Sequence, residues 1–152
     1  MKKLVNGVEV EMSAEESAAL QAEWAAANSV EKNRATMWEA IKARRDALSD
    51  KGGYLVTVGG VSKWFHSDGK SKTQQLGLLI AGANVPAVQW KTMDGTFVTM
   101  SQAWAAAIFA AAAAQDIAIF AAAEAHKSAM EAAANPAAYD FSGGWPAVYG
   151  DE

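Results

Sequence analysis

Cysteine is missing from all 152 residues, which excludes disulfides and thiolate metal sites and leaves the redox compartment unread. Histidine occurs twice, as His66 and His126, far apart in sequence and too few for a metal centre that wants several ligands of one kind. A surplus of positive charge is missing as well. The net charge is -4 and the pI is about 5.2, so the broad basic footprint of a nucleic-acid binder is not expected. Lys42-Arg44-Arg45 and Lys70-Lys72 are the local basic clusters, and both are small. Met1-Lys2-Lys3 has the charge of a secretory leader, but Asn6, Gly7, Glu9 and Glu11 leave no apolar core behind it, so export is not expected.

Catalytic signatures are missing too. Gly69-Lys70-Ser71 copies the end of a phosphate-binding loop, but the glycine required five residues earlier is Trp64, a bulky side chain where several backbone N–H groups would have to converge. His66 and Asp68 form one acid–base pair at a strand end. No nucleophile or third group stands at a readable spacing from them, so no enzyme, cofactor or metal function is expected. His126 is expected at the edge of a core or interface.

What is present in quantity is alanine. From Ser101 to Asn135 it is nearly the default residue, and the spacing predicts a helix of about nine turns, capped by Ser101 and stopped before Asn135-Pro136. At about 100° per residue, Trp104, Ile108, Ile119, His126 and Met130 share one stripe, and Phe109, Ile117 and Phe120 a second on another side. Two apolar stripes demand two partners: the domain's own sheet, and either another helix of the chain or a neighbouring subunit. The intervening alanines allow helix axes to approach closely. Gln115-Asp116 interrupts the Ala103–Ala123 run at its centre, where an acidic residue costs about 2.5–3.5 kcal/mol on membrane-insertion scales. A soluble helix is therefore expected.

The rest of the chain alternates hairpins and helices, an α+β pattern of antiparallel hairpins packed on helices. Asn6-Gly7 between β-favouring residues predicts a first hairpin, and Ser13 with Glu16 a capping box. A helix over Ala14–Ala27 follows, with Leu20 and Trp24 four apart. Helical character resumes from Val30 to Leu48, with Met37, Trp38, Ile41 and Leu48 apolar and Arg34, Lys42 and Arg44 on a solvated face. Gly59-Gly60 predicts a second hairpin with Tyr54, Val56, Val58, Val61 and Phe65 on one face. Ser71 with Gln74 predicts a cap for a helix over Lys72–Ala83 burying Leu76, Leu79 and Ile80. An Asp94-Gly95 turn predicts a third hairpin with Trp90 opposite Thr99 and Thr92 opposite Phe97. The expected organisation is a hairpin-and-helix arm over 1–28, an α+β domain over 29–134, and an extended aromatic arm over 135–152. The rings of Phe141, Trp145 and Tyr149 in that last arm are expected to lodge in grooves of this chain or of a neighbour.

Several stretches carry a family resemblance. They are Trp38-Glu39-Ala40-Ile41-Lys42-Ala43-Arg44-Arg45-Asp46, Phe65-His66-Ser67-Asp68 with Ser71 and Gln74, Trp90-Lys91-Thr92-Met93-Asp94-Gly95, Met100-Ser101 and Gly144-Trp145-Pro146. Together they resemble family 4376 of domains of unknown function, which occurs in tail and tail-fibre-associated proteins of phages and prophages. The opening Val8 to Glu16 is similar to that of small tail proteins. The alanine content after Ser101, and Trp104 where leucine is expected, depart from the family pattern. The resemblance implies a setting, the virion tail of a phage assembled in the host cytoplasm, and carries no catalytic residues. The expected function is a virion tail component, fibre-associated or adaptor, working by protein–protein contact with other tail or fibre proteins and as a homo-oligomer, without nucleic acid or membrane. The alternative is a tail-fibre assembly chaperone that leaves the particle. Contact residues expected on this reading are Leu20, Trp24, Phe109, Phe120, Phe141, Trp145 and Tyr149.

Overall fold

A two-residue hairpin turn needs positive φ at both central positions, and Asn6 (51°) and Gly7 (81°) supply it in the computed structural model, which describes residues 1–151. β1 (Lys2–Val5) and β2 (Val8–Glu11) pair from Lys2↔Glu11 to Val5↔Val8. The expected capping box follows: Glu16 N donates to Ser13 Oγ and Ser13 N to Glu16 Oε2, each at 3.0 Å. The helix it opens, α1 (Ala14–Lys51), runs 38 residues, or about 57 Å. It passes through Asn28-Ser29 without a break, because neither residue ends a helix unaided by Gly or Pro. Arm and domain therefore share one rod. Gly52 caps it and Gly53 follows at φ 71°. A Cβ on Gly53 would stand 2.3 Å from Met93 Sδ, so glycine is required there on two counts.

β3 (Tyr54–Val58) and β4 (Val61–Phe65) pair as expected, Tyr54↔Phe65 through Val58↔Val61, about Gly59-Gly60. Tyr54, Val56 and Phe65 are buried. The next helix, α2 (Gly69–Ala81), departs from expectation twice. Its cap is Asp68, whose side chain accepts from Ser71 N, not Ser71. The side it turns inward carries Gln75, Leu78 and Leu79, while Leu76 and Ile80 are 46% and 78% exposed. The choice between these adjacent ridges is made by hydrogen bonds: the Tyr54 hydroxyl donates to Gln75 Oε1, and Gln75 Nε2 donates to His66 O at 3.0 Å.

β5 (Gln89–Lys91) and β6 (Phe97–Thr99) pair with Gln89↔Thr99, Trp90↔Val98 and Lys91↔Phe97, one residue out of the expected register. The reason is the turn. Thr92 N donates to Thr96 O at 2.9 Å, which makes Met93-Asp94-Gly95 a three-residue loop with Gly95 at φ 82°, the bulged class of hairpin turn. Asp94 holds it, accepting from Thr92 Oγ1, Thr96 N, Thr96 Oγ1 and Lys63 Nζ at 2.6–2.9 Å. These four donors, Lys63 first, keep the Asp94 carboxyl well below the ordinary carboxylate range.

α3 (Gln102–Ala132) is the alanine helix, capped by Ser101 and ending where expected. The three hairpins remain separate two-stranded sheets, so the first stripe of α3 meets no single sheet, and α3 supplies a wall shared by the second and third hairpins. Tyr54, Val56, Phe65, Val98, Met100, Trp104 and Ile108 form one core on its first half. Ile41, Ala123 and Met130 form a second on its last half, with Met37, Trp38, Tyr139, Phe141 and Trp145 packed around it. α1 lies antiparallel to α3. Ser49 donates to Asp116 (2.8 Å), Arg45 sits over the Phe120 ring (4.7 Å), Lys127 over the Trp38 ring (5.1 Å), and Arg34 Nη2 donates to Glu131 O (2.9 Å). Arg34 thus closes a terminal carbonyl of α3 instead of sitting on a purely solvated face.

The residues after Pro136 fold back on the same chain. The Tyr139 hydroxyl meets His126 Nδ1 at 2.9 Å, the Trp145 ring centre lies 4.9 Å from that of His126, and Trp145 Nε1 donates to Phe141 O at 2.7 Å. Gln115 Nε2 then holds Ala147 O, and Tyr149 N donates to Gly52 O, both at 2.9 Å. Residue 152, the last of the expected arm, lies outside the described residues.

Candidate interaction surface

The first stripe of α3 goes where the spacing sends it: Trp104, Ile108, Ile119 and Met130 are buried and His126 is half-buried. The second stripe is only partly covered in this chain, by Arg45 over the Phe120 ring. Phe109, Ile117 and Phe120 are 52%, 71% and 48% exposed. Between and beside them Ala103, Ala106, Ala110, Ala113, Ala114, Ala118 and Ala121 are also exposed. From Gln102 to Ala123 the helix has one charged residue, Asp116, and that residue faces inward. Its carboxylate takes Lys72 Nζ at 2.9 and 3.2 Å together with the Ser49 hydroxyl, so one side chain ties α1, α2 and α3 together. Lys72 also reaches Ser49 O at 3.3 Å. By length and composition α3 is apolar enough to cross a membrane, but its polar centre is built into this three-helix junction.

Beside the junction the exposed stripe deepens into a groove of about 250 Å³ between α2 and α3, lined by Leu76, Phe109, Ala112 and Ala113 with Lys72 and Asp116 at one end. A groove that is apolar along its length and polar at one end suits an anchoring side chain better than a polar metabolite. Leu76 was expected in the core, and its place on this rim is what the choice of the Gln75 ridge produces.

The second exposed element is the N-terminal half of α1. Every residue from 21 to 32 is exposed, because the antiparallel pairing with α3 ends at Arg34 and Glu131. Roughly 20 residues of helix, about 30 Å, therefore project beyond α3, with β1–β2 at the far end. Trp24 stands 54% exposed on this rod and Leu20 is half-buried. Large exposed apolar side chains grouped on a rigid element mark an interaction surface more often than chance exposure does.

The residues expected to touch partners thus separate into two groups. Trp24, Phe109 and Phe120 are presented to solvent. Phe141 and Trp145 are half-buried and pack on the Ile41–Ala123–Met130 core, and Tyr149 lies edge-on to Trp64 at 6.2 Å while keeping 41% exposure. Their grooves belong to the chain's own domain. Both Asp68 oxygens are engaged by Ser71, its hydroxyl at 2.6 Å and its backbone N at 2.9 Å, which holds the carboxyl below its ordinary range. Among the described residues no group of three or more His, Asp or Glu side chains is placed to hold a metal. The groove beside Phe109 was not read from the sequence. The signal for it was Asp116, one acid in otherwise apolar surroundings.

A family model described as a domain of unknown function, DUF4376, matches residues 32–143. No curated protein and no solved structure matches the chain. The matched range begins within α1 near the point where the rod leaves α3 and ends at the aromatic clasp, so it takes in both cores and leaves out most of the projecting half of α1.

Proposed function

The chain belongs to the DUF4376 family, and from that premise we propose that it is a structural component of a bacteriophage tail, fibre-associated or adaptor, that works through protein–protein contacts. The observation that carries the contact reading is the disposition of exposed apolar groups. They include Phe109, Ile117 and Phe120 on one face of α3 with Leu76 on α2 beside it, and Trp24 and Val30 on the outer half of α1 with Leu4, Val5, Val8 and Val10 on the hairpin it carries; others are spread over the remaining hairpins, and the aromatic residues of the C-terminal segment pack on the domain. A rod about 30 Å long, ending in a small hairpin and anchored in a packed domain, is a means of reaching a second protein at a set distance. Its first half is acidic, with Glu15, Glu16, Glu23 and Glu31 before the helix's first base at Lys32 and only Glu16 among them paired with a base of the hairpin, Lys3, which favours a partner with a basic rim. Support for the tail setting is the resemblance of the short motifs at Trp38–Asp46, Phe65–Asp68 and Trp90–Gly95 to tail-associated proteins.

The test is mass spectrometry of purified particles from the phage or prophage that encodes this chain. Recovery of its peptides with the tail fraction is the expected result. Absence from the particle, combined with a higher yield of soluble fibre when the chain is co-expressed with it, would replace the resident role by that of an assembly chaperone.

A further inference from the structure

We propose that the exposed face of α3 pairs with the same face of a second copy of this chain, as an antiparallel two-fold helix pair centred between Ala113 and Ala114. This deepens the contact reading by naming one partner, but it stands on the surface of α3 and not on the tail setting.

Three observations lead to it. The first is the row structure of the face. Ala103, Ala110 and Ile117 recur every seven residues along its centre, flanked by Ala106, Ala113 and Phe120 on one side and by Ala114 and Ala121 on the other, where the row ends at Ala107, which packs on the first core. A seven-residue recurrence is the spacing that keeps two helices in register along a seam.

The second is self-complementarity. A two-fold axis requires that the residue that contacts a given position be contacted by it in turn. With the axis between Ala113 and Ala114, Ile117 of one copy falls over Ala110 of the other, Phe120 beside Ala106, and the two Ala113 and two Ala114 meet across the axis. Every large side chain of these rows then meets an alanine, and the axes can approach to about 8 Å. The charged side chains near the seam lie at its edges: Glu124, next in the central row, would stand over Ala103 of the other copy, Arg45 sits over the Phe120 ring, and Asp116 is engaged by Lys72 and Ser49.

The third is area. Phe109, Ile117 and Phe120, 52%, 71% and 48% exposed, and the exposed alanines of the face leave on the order of several hundred Å² of apolar surface uncovered. That is of the same order as the ~800 Å² that each partner of a standard interface contributes.

The test uses the full chain and exploits its lack of cysteine. Light scattering at micromolar concentration should give about 32 kDa, twice the 16.0 kDa of one chain. Ile117→Asp should return the protein to the single-chain mass with an unchanged circular dichroism spectrum, since Ile117 is 71% exposed in the monomer, whereas Trp24→Asp should leave the dimer intact. Under mild oxidation Ala113→Cys should cross-link to itself across the axis. Ala110→Cys should not, because its two copies would lie about 10 Å apart along the helices, beyond disulfide reach. A single-chain mass for the unaltered protein, a dimer indifferent to Ile117→Asp, or cross-linking of Ala110→Cys as readily as Ala113→Cys would each overturn the pairing. So would flotation of the unaltered chain with anionic or neutral phospholipid vesicles that Ile117→Asp abolishes, since the face would then belong to a bilayer.

Discussion

Replacing Trp145 by alanine tests whether the C-terminal segment is part of the fold. In the structure the indole packs against His126 with ring centres 4.9 Å apart, donates through Nε1 to Phe141 O at 2.7 Å, and helps cover the core of Ile41, Ala123 and Met130. Full removal of a core Trp costs about 3–5 kcal/mol. Because Trp145 is only half-buried, the expected loss is about 2–3 kcal/mol, most of it apolar area returned to water and the remainder the Phe141 hydrogen bond. For a chain of this size that corresponds to a fall in Tm of about 5–10 °C. Thermal and urea melts followed by circular dichroism would measure it, with a lower midpoint and an unchanged urea slope expected. Truncation after Asn135 should cost more, since Tyr139 and Phe141 go as well. Were Trp145→Ala to move the stability by less than about 0.5 kcal/mol, the ordinary range for surface substitutions, the segment would not be a closing element and its aromatic rings would return to the list of partner contacts.

Two further predictions concern groups whose role the packing defines. Tyr54→Phe removes the donor to the buried Gln75 amide and should cost about 1–3 kcal/mol. Adding Gln75→Leu should recover part of that loss in a double-mutant cycle read by urea melts, and a neutral Tyr54→Phe would show the hydrogen bond to be dispensable. Asp94 is held below the ordinary carboxylate range first by Lys63 and then by Thr92 and Thr96. A depressed folded value means that the stabilisation is complete above the unfolded value near 3.8 and is lost as pH falls through the folded one. The stability gap between the unaltered chain and Asp94→Asn, followed by melts from pH 7 to pH 2, should therefore stay level down to about pH 4 and narrow below it. A gap that widened on acidification would contradict this account of the turn.

Much of the fold was legible because its signals are local. The Asn6-Gly7 and Gly59-Gly60 turns, the Ser13 and Ser101 caps and the two stripes of α3 depend on residues within a few positions of one another, and each stands in the structure as its spacing directed. The failures also have particular causes. The third hairpin slipped by one residue because a two-residue Asp-Gly turn and a three-residue loop ending in Gly95 share the same letters, and only the Thr92–Thr96 pairing separates them. On α2, two apolar ridges lie side by side, and a distant tyrosine chose between them. The candidate contact residues divided for the same kind of reason. By sequence Phe141 and Trp145 have grooves open to them on this chain or on a neighbour, and they pack on this chain, against His126 and the Met130 core, whereas Phe109 and Phe120 stay about half exposed.

The sequence by itself determined the elements, their caps and which faces are apolar, because backbone dihedral preference and hydrophobic period act over one or two turns of chain. Tertiary structure decided which of those faces are covered. It set α1 against the last half of α3 so that the other half of α1 projects, folded the C-terminal segment over the second core, and left the Phe109–Ile117–Phe120 side largely bare. Coverage is a matter of what stands opposite, and what stands opposite is fixed by contacts between residues far apart in the chain.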